Sequence, residues 1–360
     1  MRVDTVTDDL VERVFSNALQ LDLENDYWER QGCMTALLRW DHPKGVPTVR
    51  RWLDRAVATQ TSDGRLCYGG TTNYTFGAFR VMDTAIMRYF TSTPSVSAYF
   101  TYPLAVLHDK TGDSRYLEAA ERQIDAVLGG PRTTEGFLRM NGQAPEIWID
   151  EVYPVCGALA RLGRLLDRPA LVDEAYHQIL VAARRLIDPY AKLARHIWRE
   201  RPDSFPESTF WSRGNGWLIC AAAEVLLEAP NHESAAPARK ILTTLLESMA
   251  GLQDRSGFLH DFLDDPSTAL EASGTLMFSY AVGLGLELGV VPNALLEPAI
   301  RALDAVAGIV EADGSIGRIV LPPGGPGVPL GKMALGQSFF LLSAYQLRNE
   351  LKLSAPGSGA

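Results

Sequence analysis

Between residues 116 and 128 the apolar side chains Leu117, Ala120, Ile124, Val127 and Leu128 recur at the three-and-four spacing of a helix, while Glu118, Glu121, Arg122 and Asp125 take the other side. The pattern predicts a helix with one buried face. Segments 171–187, 235–252 and 294–310 read the same way, each opened by a polar turn or one containing Pro or Asn that can start a helix. Between them lie less charged segments, 102–107, 149–166, 218–227, 276–288 and 334–347, that are apolar on several sides and predict helices enclosed by others. Outer and inner helices therefore alternate along the chain.

A second pattern follows each outer helix. Asp63-Gly-Arg-Leu-Cys-Tyr, Glu135-Gly-Phe-Leu-Arg-Met, Lys192-Leu-Ala-Arg-His-Ile-Trp, Ser256-Gly-Phe-Leu-His-Asp-Phe and Asp313-Gly-Ser-Ile-Gly-Arg-Ile each read as a turn and a short strand-like run. Counted from Gly64, Gly136, Lys192, Gly257 and Gly314, the period averages about 60 residues, the signature of stacked or closed helix pairs. The 360 residues hold roughly six such pairs, the first without its loop signature, and six pairs can close into a double ring. One domain over residues 1–352 is expected, followed by a frayed tail over 353–360. The Pro/Gly-rich stretch 321–331 reads as a loop before the last helix.

Composition narrows the partners. The 34 Lys and Arg against 43 Asp and Glu give a net charge of -9, and no basic run offers phosphate neutralisation, which argues against nucleic acid. No apolar stretch approaches the roughly 20 residues of a membrane span, and the N-terminal residues lack the apolar core of a signal peptide, so no membrane association and a cytoplasmic location are expected. Cys33, Cys67, Cys156 and Cys220 stand singly, which fits buried small side chains rather than disulfides or a structural zinc site. The six histidines show no metal-ligand spacing, and no cofactor is expected.

In a closed ring the strand-like loops gather at one end. Those loops and the starts of the inner helices carry Arg139, Trp148, Asp150, His196, Trp198, Trp211, Arg213, Asn215, Trp217, His260 and Asp261. Indole faces beside Arg, Asn and Asp suit a sugar acid, whose C–H face stacks on Trp while its carboxylate takes an Arg fork. The densest segment is Phe210-Trp-Ser-Arg-Gly-Asn-Gly-Trp217, at the mouth of an apolar helix whose free N–H groups attract anions. In Glu146-Ile-Trp-Ile-Asp150-Glu-Val-Tyr153, Asp150 stands at a helix start, where a carboxylate complements the dipole. Partial desolvation beside Trp148 would also equip it as a general acid.

Trp211-Ser-Arg-Gly-Asn-Gly-Trp217, Trp148-Ile-Asp150 with Tyr153, Pro131-Arg-Thr-Thr-Glu-Gly-Phe137 and Leu270-Glu-Ala-Ser-Gly-Thr-Leu-Met-Phe278 together resemble the unsaturated rhamnogalacturonyl hydrolases of glycoside hydrolase family 105, relatives of the family 88 unsaturated glucuronyl hydrolases. The similarity runs from Tyr27-Trp-Glu-Arg-Gln-Gly32 to Gly336-Gln-Ser-Phe-Phe340. It implies an all-α (α/α)6 barrel. It also implies hydration of the 4,5-double bond that a polysaccharide lyase leaves in a terminal uronic acid, with a uronic-acid-containing oligosaccharide as substrate. By the same resemblance Asp150 is the acid and then the base, while Trp211, Trp217, Arg213, His196, Arg139, Trp148 and Asn215 bind substrate, without a metal.

The chain also departs from the family pattern. Where the family commonly has Phe-Trp-His, this sequence has Phe137-Leu-Arg139, replacing a titratable ring with a permanent cation. The stretch Ser92-Thr-Pro-Ser-Val-Ser-Ala-Tyr-Phe100 holds no second carboxylate, and Asp83 is the nearest upstream acid. Two alternatives remain open at this level. One is a glycosidase or lyase acting on a saturated uronide in the same barrel, with Asp261, Asp264 or Glu207 as the second carboxylate of a glycosidase; the other is a non-catalytic sugar-binding homologue.

Overall fold

A computed structural model of the chain describes residues 5–21, 30–66, 94–140, 144–321, 324 and 327–357. Asp83 and Cys67 lie outside the described residues. Twelve helices of ten residues or more are described: α1 Asp8–Ala18, α2 Arg30–Arg39, α3 Gly45–Ala58, α4 Thr101–Thr111, α5 Ser114–Leu128, α6 Val152–Leu165, α7 Pro169–Leu186, α8 Ser212–Glu228, α9 Ala235–Gly251, α10 Ala272–Glu287, α11 Leu296–Ala307 and α12 Ala334–Gln346. A four-residue turn of helix, α13 Arg348–Leu351, follows.

The even-numbered helices from α2 to α12 form the inner ring. Each packs on the next, and α12 returns to α2, which closes the circle. The outer helices pack outside them, α1 on α12, α3 on α2, α5 on α4, α7 on α6, α9 on α8 and α11 on α10. This is an (α/α)6 barrel. The sequence pattern explains the division: α5 buries Tyr116, Ala119, Ala120, Gln123, Ile124 and Val127 along one face, whereas almost every residue of α8 and α10 is enclosed. Helices α1, α2 and α3, whose pattern was not singled out from sequence, supply the first outer helix and the first pair. Cys33, Cys156 and Cys220 are buried free thiols, and no described helix is long and apolar enough to cross a membrane.

Because each outer helix carries the chain back, the inner helices all point the same way. Residues at the starts of α4, α6, α8 and α12 line one cavity. At the opposite end Arg161 of α6 reaches Asp109 of α4 and Glu228 of α8, while Arg39 of α2 reaches Gln346 of α12, which in turn meets Glu287 of α10.

The loops from outer to inner helices repeat at the level of single dihedral angles. Gly64, Gly136, Lys192, Gly257 and Gly314 all have positive φ, between 54° and 94°. In four of the five loops the residue two places later has its backbone N–H held by a side chain: Leu66 by Gln123 Oε1, Leu138 by Gln178 Oε1, Ala194 by Asn215 Oδ1 and Leu259 by Thr275 Oγ1. Each bond satisfies a donor that burial would otherwise leave orphaned. The strand-like runs then pair in short antiparallel ladders: β1 Glu146–Trp148 with β2 Ile197–Arg199, β2 with β3 Ser204–Glu207, β4 Leu259–His260 with β5 Leu270–Glu271, and β6 Ile319–Val320 with β7 Leu330–Gly331. The Pro/Gly-rich stretch read as a loop is the hairpin joining β6 and β7. Beyond α13, Ser354 N–H donates to Asp8 Oδ1 and Pro356 is buried.

Candidate active site

Tyr99, Asp150, Trp211, Arg213, Trp217, Met333 and Leu335 line a cavity at the end of the ring where the inner helices begin. Six of them stand within two residues of a helix start, so the repeat itself delivers side chains here. Tyr99 lies in a 3-10 turn, Pro94–Phe100, that runs into α4, and Asp150 lies in another, Ile149–Glu151, that runs into α6. Partial positive charge from several helix N-termini converges on the cavity and favours an anion there.

Asp150 is held from the neighbouring loop. Its Oδ2 lies 3.0 Å from His196 Nε2, and both side chains are largely buried, with 13% and 6% exposure. Register carries this pairing: β1 and β2 run antiparallel with Trp148 opposite Ile197, and Ile149 N–H donates to His196 C=O. The His196 ring packs 4.8 Å from Trp211 and edge-on to Trp148 at 6.0 Å, and its Nδ1 is buried without a hydrogen bond. The Trp148 indole N–H donates to Glu146 Oε2, a buried carboxylate that also pairs with Arg199.

Arg213 lies with its guanidinium 4.4 Å from the Trp211 ring and donates to Val320 C=O at 2.7 Å and Ser273 Oγ at 3.3 Å. Trp217 rests on Tyr153 and Phe339, at 4.9 and 5.9 Å between centroids, which fixes its ring against the aromatic axis of the barrel. On the outer side of Trp211 the β6–β7 hairpin comes so close that a Cβ on Gly324 would stand 2.4 Å from the indole, at φ +83°. Only glycine fits there.

Two acids beside the cavity are raised in pKa. Burial pushes the Glu151 carboxyl to about 8, with the nearby Ser95 hydroxyl opposing the shift and Asp150 adding to it. Asp261, 8% exposed, is raised to about 7 by burial first and then by Glu271, against the pull of Arg213 and the Trp211 N–H. Glu271 itself caps α10, accepting from Ser273 and Gly274 N–H.

Of the residues expected from sequence, Asp150, Trp211, Arg213 and Trp217 share the cavity wall, His196 joins them through Asp150, and Trp148 flanks His196. Asn215 does not reach the cavity. It is fully buried, and its amide is used by Ala194 N–H, Ala194 C=O and Trp211 C=O. Its expected substrate contact is therefore replaced by a structural one: it is the loop clamp of its own repeat and holds the run that leads to His196. Arg139 is half-buried, with its backbone bonded to Pro131 and Ser95, and is not among the described residues lining the cavity. Trp198 faces away, under Arg185 with its N–H on Asp203, and His260 bonds Thr268 C=O. Tyr99, Met333 and Leu335 were not expected. The rule that residues opening an inner helix face the cavity would have found them. Among the described residues no group of His, Cys, Asp and Glu is arranged to hold a metal ion.

A family model described as Glycosyl Hydrolase Family 88 matches residues 21–332. The unsaturated rhamnogalacturonyl hydrolase YesR of Bacillus subtilis is 29% identical over 226 residues, covering 61% of this chain and 64% of that protein. An unsaturated 3S-rhamnoglycuronyl hydrolase of Formosa agariphila is 25% identical, over 62% of this chain and 63% of that one. The chain thus spans somewhat under two thirds of the length of these relatives. Among solved structures, one from Salmonella enterica described as a possible member of the GH105 family superposes with a TM-score of 0.77 at 22% identity, covering 96% of this chain and 95% of that one. The unsaturated glucuronyl hydrolase of Bacillus sp. GL1 superposes with a TM-score of 0.65 at 15% identity, covering 98% of each. On the extent of the family match, the chain belongs to Glycosyl Hydrolase Family 88.

Proposed function

We propose that the protein, acting as one domain through residue 352, removes a 4,5-unsaturated uronic acid from the end of a lyase-generated oligosaccharide by hydrating the vinyl ether double bond. The observation that carries this reading is the Asp150–His196 pair on the wall of a cavity that also presents Arg213, Trp211 and Trp217. Asp150 as the acid gives its proton to C4 of the unsaturated ring. Positive charge then develops over C5 and the ring oxygen, where the aromatic faces of Trp211 and Trp217 and the fixed carboxylate offset it. The same carboxylate accepts a proton from water as it attacks C5. The resulting hemiketal opens, and the remaining sugar leaves. His196 Nε2 keeps the Asp150 oxygen aimed through both halves of the reaction. Arg213, with the helix N-termini, holds the substrate carboxylate.

The test is the ultraviolet absorbance of the conjugated uronate during incubation with lyase-generated disaccharides. Absorbance falls with at least one of them, and Asp150→Asn lowers the rate by about a thousandfold, within the range of general acid–base catalysis, while circular dichroism stays unchanged. Retained turnover in that variant would overturn the assignment of Asp150.

A further inference from the structure

Asp261 is a buried acid that the proposed chemistry leaves without a task. It sits just beyond β4, and its backbone is fixed on both sides: its C=O accepts Ser212 N–H, the first of α8, at 2.8 Å, and its N–H donates to Ala269 C=O at 2.8 Å. Phe262 bridges to Trp211, and Leu263 N–H donates to Phe210 C=O. The carboxyl thus has no freedom to leave the base of the Trp211–Arg213 wall. Its Oδ1 is buried without a hydrogen bond, and the Trp211 indole N–H faces the carboxyl and draws on its charge. The charged groups acting on it come from two other elements, Arg213 on α8 and Glu271 on β5, while His260 on its own strand is turned to Thr268 C=O.

We propose that Asp261 is a positioning residue for this wall, a carboxyl whose charge sets how much of the Arg213 cation is left to face an anionic substrate. Glu271 stays committed to the start of α10, where its two oxygens receive Ser273, Gly274 and Ser212. With Asp261 neutral, its pull on Arg213 is absent, and a substrate carboxylate is held more tightly. With Asp261 ionised, one more acid competes for the cation, and a substrate carboxylate is held less tightly. The burial that raises this acid to about 7 places the change within the working range of an enzyme.

The kinetic part of the test rests on the proposed uronide reading; the spectroscopic part does not. Tryptophan emission of the full chain is followed from pH 5 to pH 9, and the difference between wild type and Trp211→Phe isolates the indole beside Asp261. A transition with its midpoint near 7 is expected, and it is absent in Asp261→Asn. A Trp211 signal that is flat over the range, a midpoint that survives Asp261→Asn, or a midpoint that is lost in His196→Asn, whose ring packs on the same indole, overturns the proposal; the wild-type, Trp211→Phe and His196→Asn curves decide it even if Asp261→Asn fails to fold. In steady-state assays KM for the unsaturated disaccharide rises roughly threefold or more between pH 6 and pH 8 in wild type as the second acid ionises, and Asp261→Asn removes that rise, so the effect falls on KM rather than kcat. An identical KM profile in the two proteins also overturns the proposal. If wild type consumes no unsaturated uronide, it is the functional reading that has failed, and the emission titration still decides the role of Asp261.

Discussion

The two ends of the barrel axis are built from the same six helices, yet they spend their charges in opposite ways. At the far end, where the inner helices finish, Glu228 accepts from Tyr102, Arg161 and Arg164, Arg161 also holds Asp109, and Arg39 lies over Tyr280 while bonding Gln346. Arginines suit the negative ends of helices, and here they are tied to acids that are tied to tyrosines. Glu224 completes the set, raised to about 7 by burial while Arg39 and the Tyr280 hydroxyl pull against the shift. At the near end, where the helices begin, His196 Nδ1 and Asp261 Oδ1 are buried without hydrogen bonds. A fold keeps such unmet polar atoms at a cost; at the far end Arg161 Nε and Glu224 Oε2 are unmet as well, but they lie inside the arginine, carboxylate and tyrosine network, whereas those at the near end lie beside the cavity. The far end holds the ring shut; the near end is left for chemistry.

The sharpest way to break this comparison is to exchange the readouts. Asp150→Asn is expected to lower turnover by about a thousandfold, equivalent to about 4 kcal/mol of transition-state stabilisation, with an unchanged urea midpoint. Glu228→Ala is expected to do the reverse. Removing a carboxylate that serves two arginines and a tyrosine costs about 3 kcal/mol of stability, read as a lower urea midpoint, while kcat per folded molecule stays within twofold. If Glu228→Ala leaves stability intact, or Asp150→Asn lowers it as much, the division of labour between the two ends is wrong.

Asn215 tests the boundary between those roles. It lies at the near end, in the densest motif of the sequence, yet all its hydrogen bonds go to the backbone of Ala194 and Trp211. Asn215→Ala leaves the Ala194 N–H and C=O without those partners, at an expected cost of about 2 kcal/mol. Because Ala194 is two residues from His196, kcat is expected to fall by about tenfold through loss of the His196–Asp150 alignment. A variant with lowered kcat and full stability would instead return Asn215 to the substrate.

That residue also shows what could be read from the chain. The alternation of one-sided and enclosed helices was legible, since burial of a face leaves a periodic trace, and so was the cavity position of Asp150, Trp211, Arg213 and Trp217, each placed at the start of an inner helix. The use of Asn215 was not legible, because an amide beside two glycines looks the same whether it faces a sugar or a backbone. Only the repeat resolves it: Gln123, Gln178 and Thr275 hold the matching N–H in three other loops, from positions that share no local motif with Asn215. Tyr99 escaped notice for a related reason. In the stretch around it the family pattern calls for a carboxylate, whereas the structure uses it to carry an aromatic ring to the cavity.

The smallest expected effect comes from the one loop in which the repeated glycine is missing. Lys192 takes φ +54° where Gly64, Gly136, Gly257 and Gly314 take +84° to +94°. A positive φ costs a non-glycine residue about 1 kcal/mol or more, while glycine costs about 0.4–1 kcal/mol through the freedom of the unfolded chain. Lys192→Gly is therefore expected to stabilise the protein by no more than about 1 kcal/mol, a small rise in the urea midpoint, with unchanged turnover. The reason a lysine is tolerated lies in the neighbours rather than in the dihedral angle. A Cβ on Gly257 would stand 2.5 Å from the Arg301 carbonyl oxygen and one on Gly314 2.3 Å from that of Arg13, whereas Lys192 is exposed and its backbone N–H bonds Asp188 C=O in a five-residue turn. The glycines are needed because outer helices press on their loops. A clear loss of stability in Lys192→Gly would mean that the lysine side chain itself holds its loop, and the equivalence of the five turns would then be one of backbone shape alone.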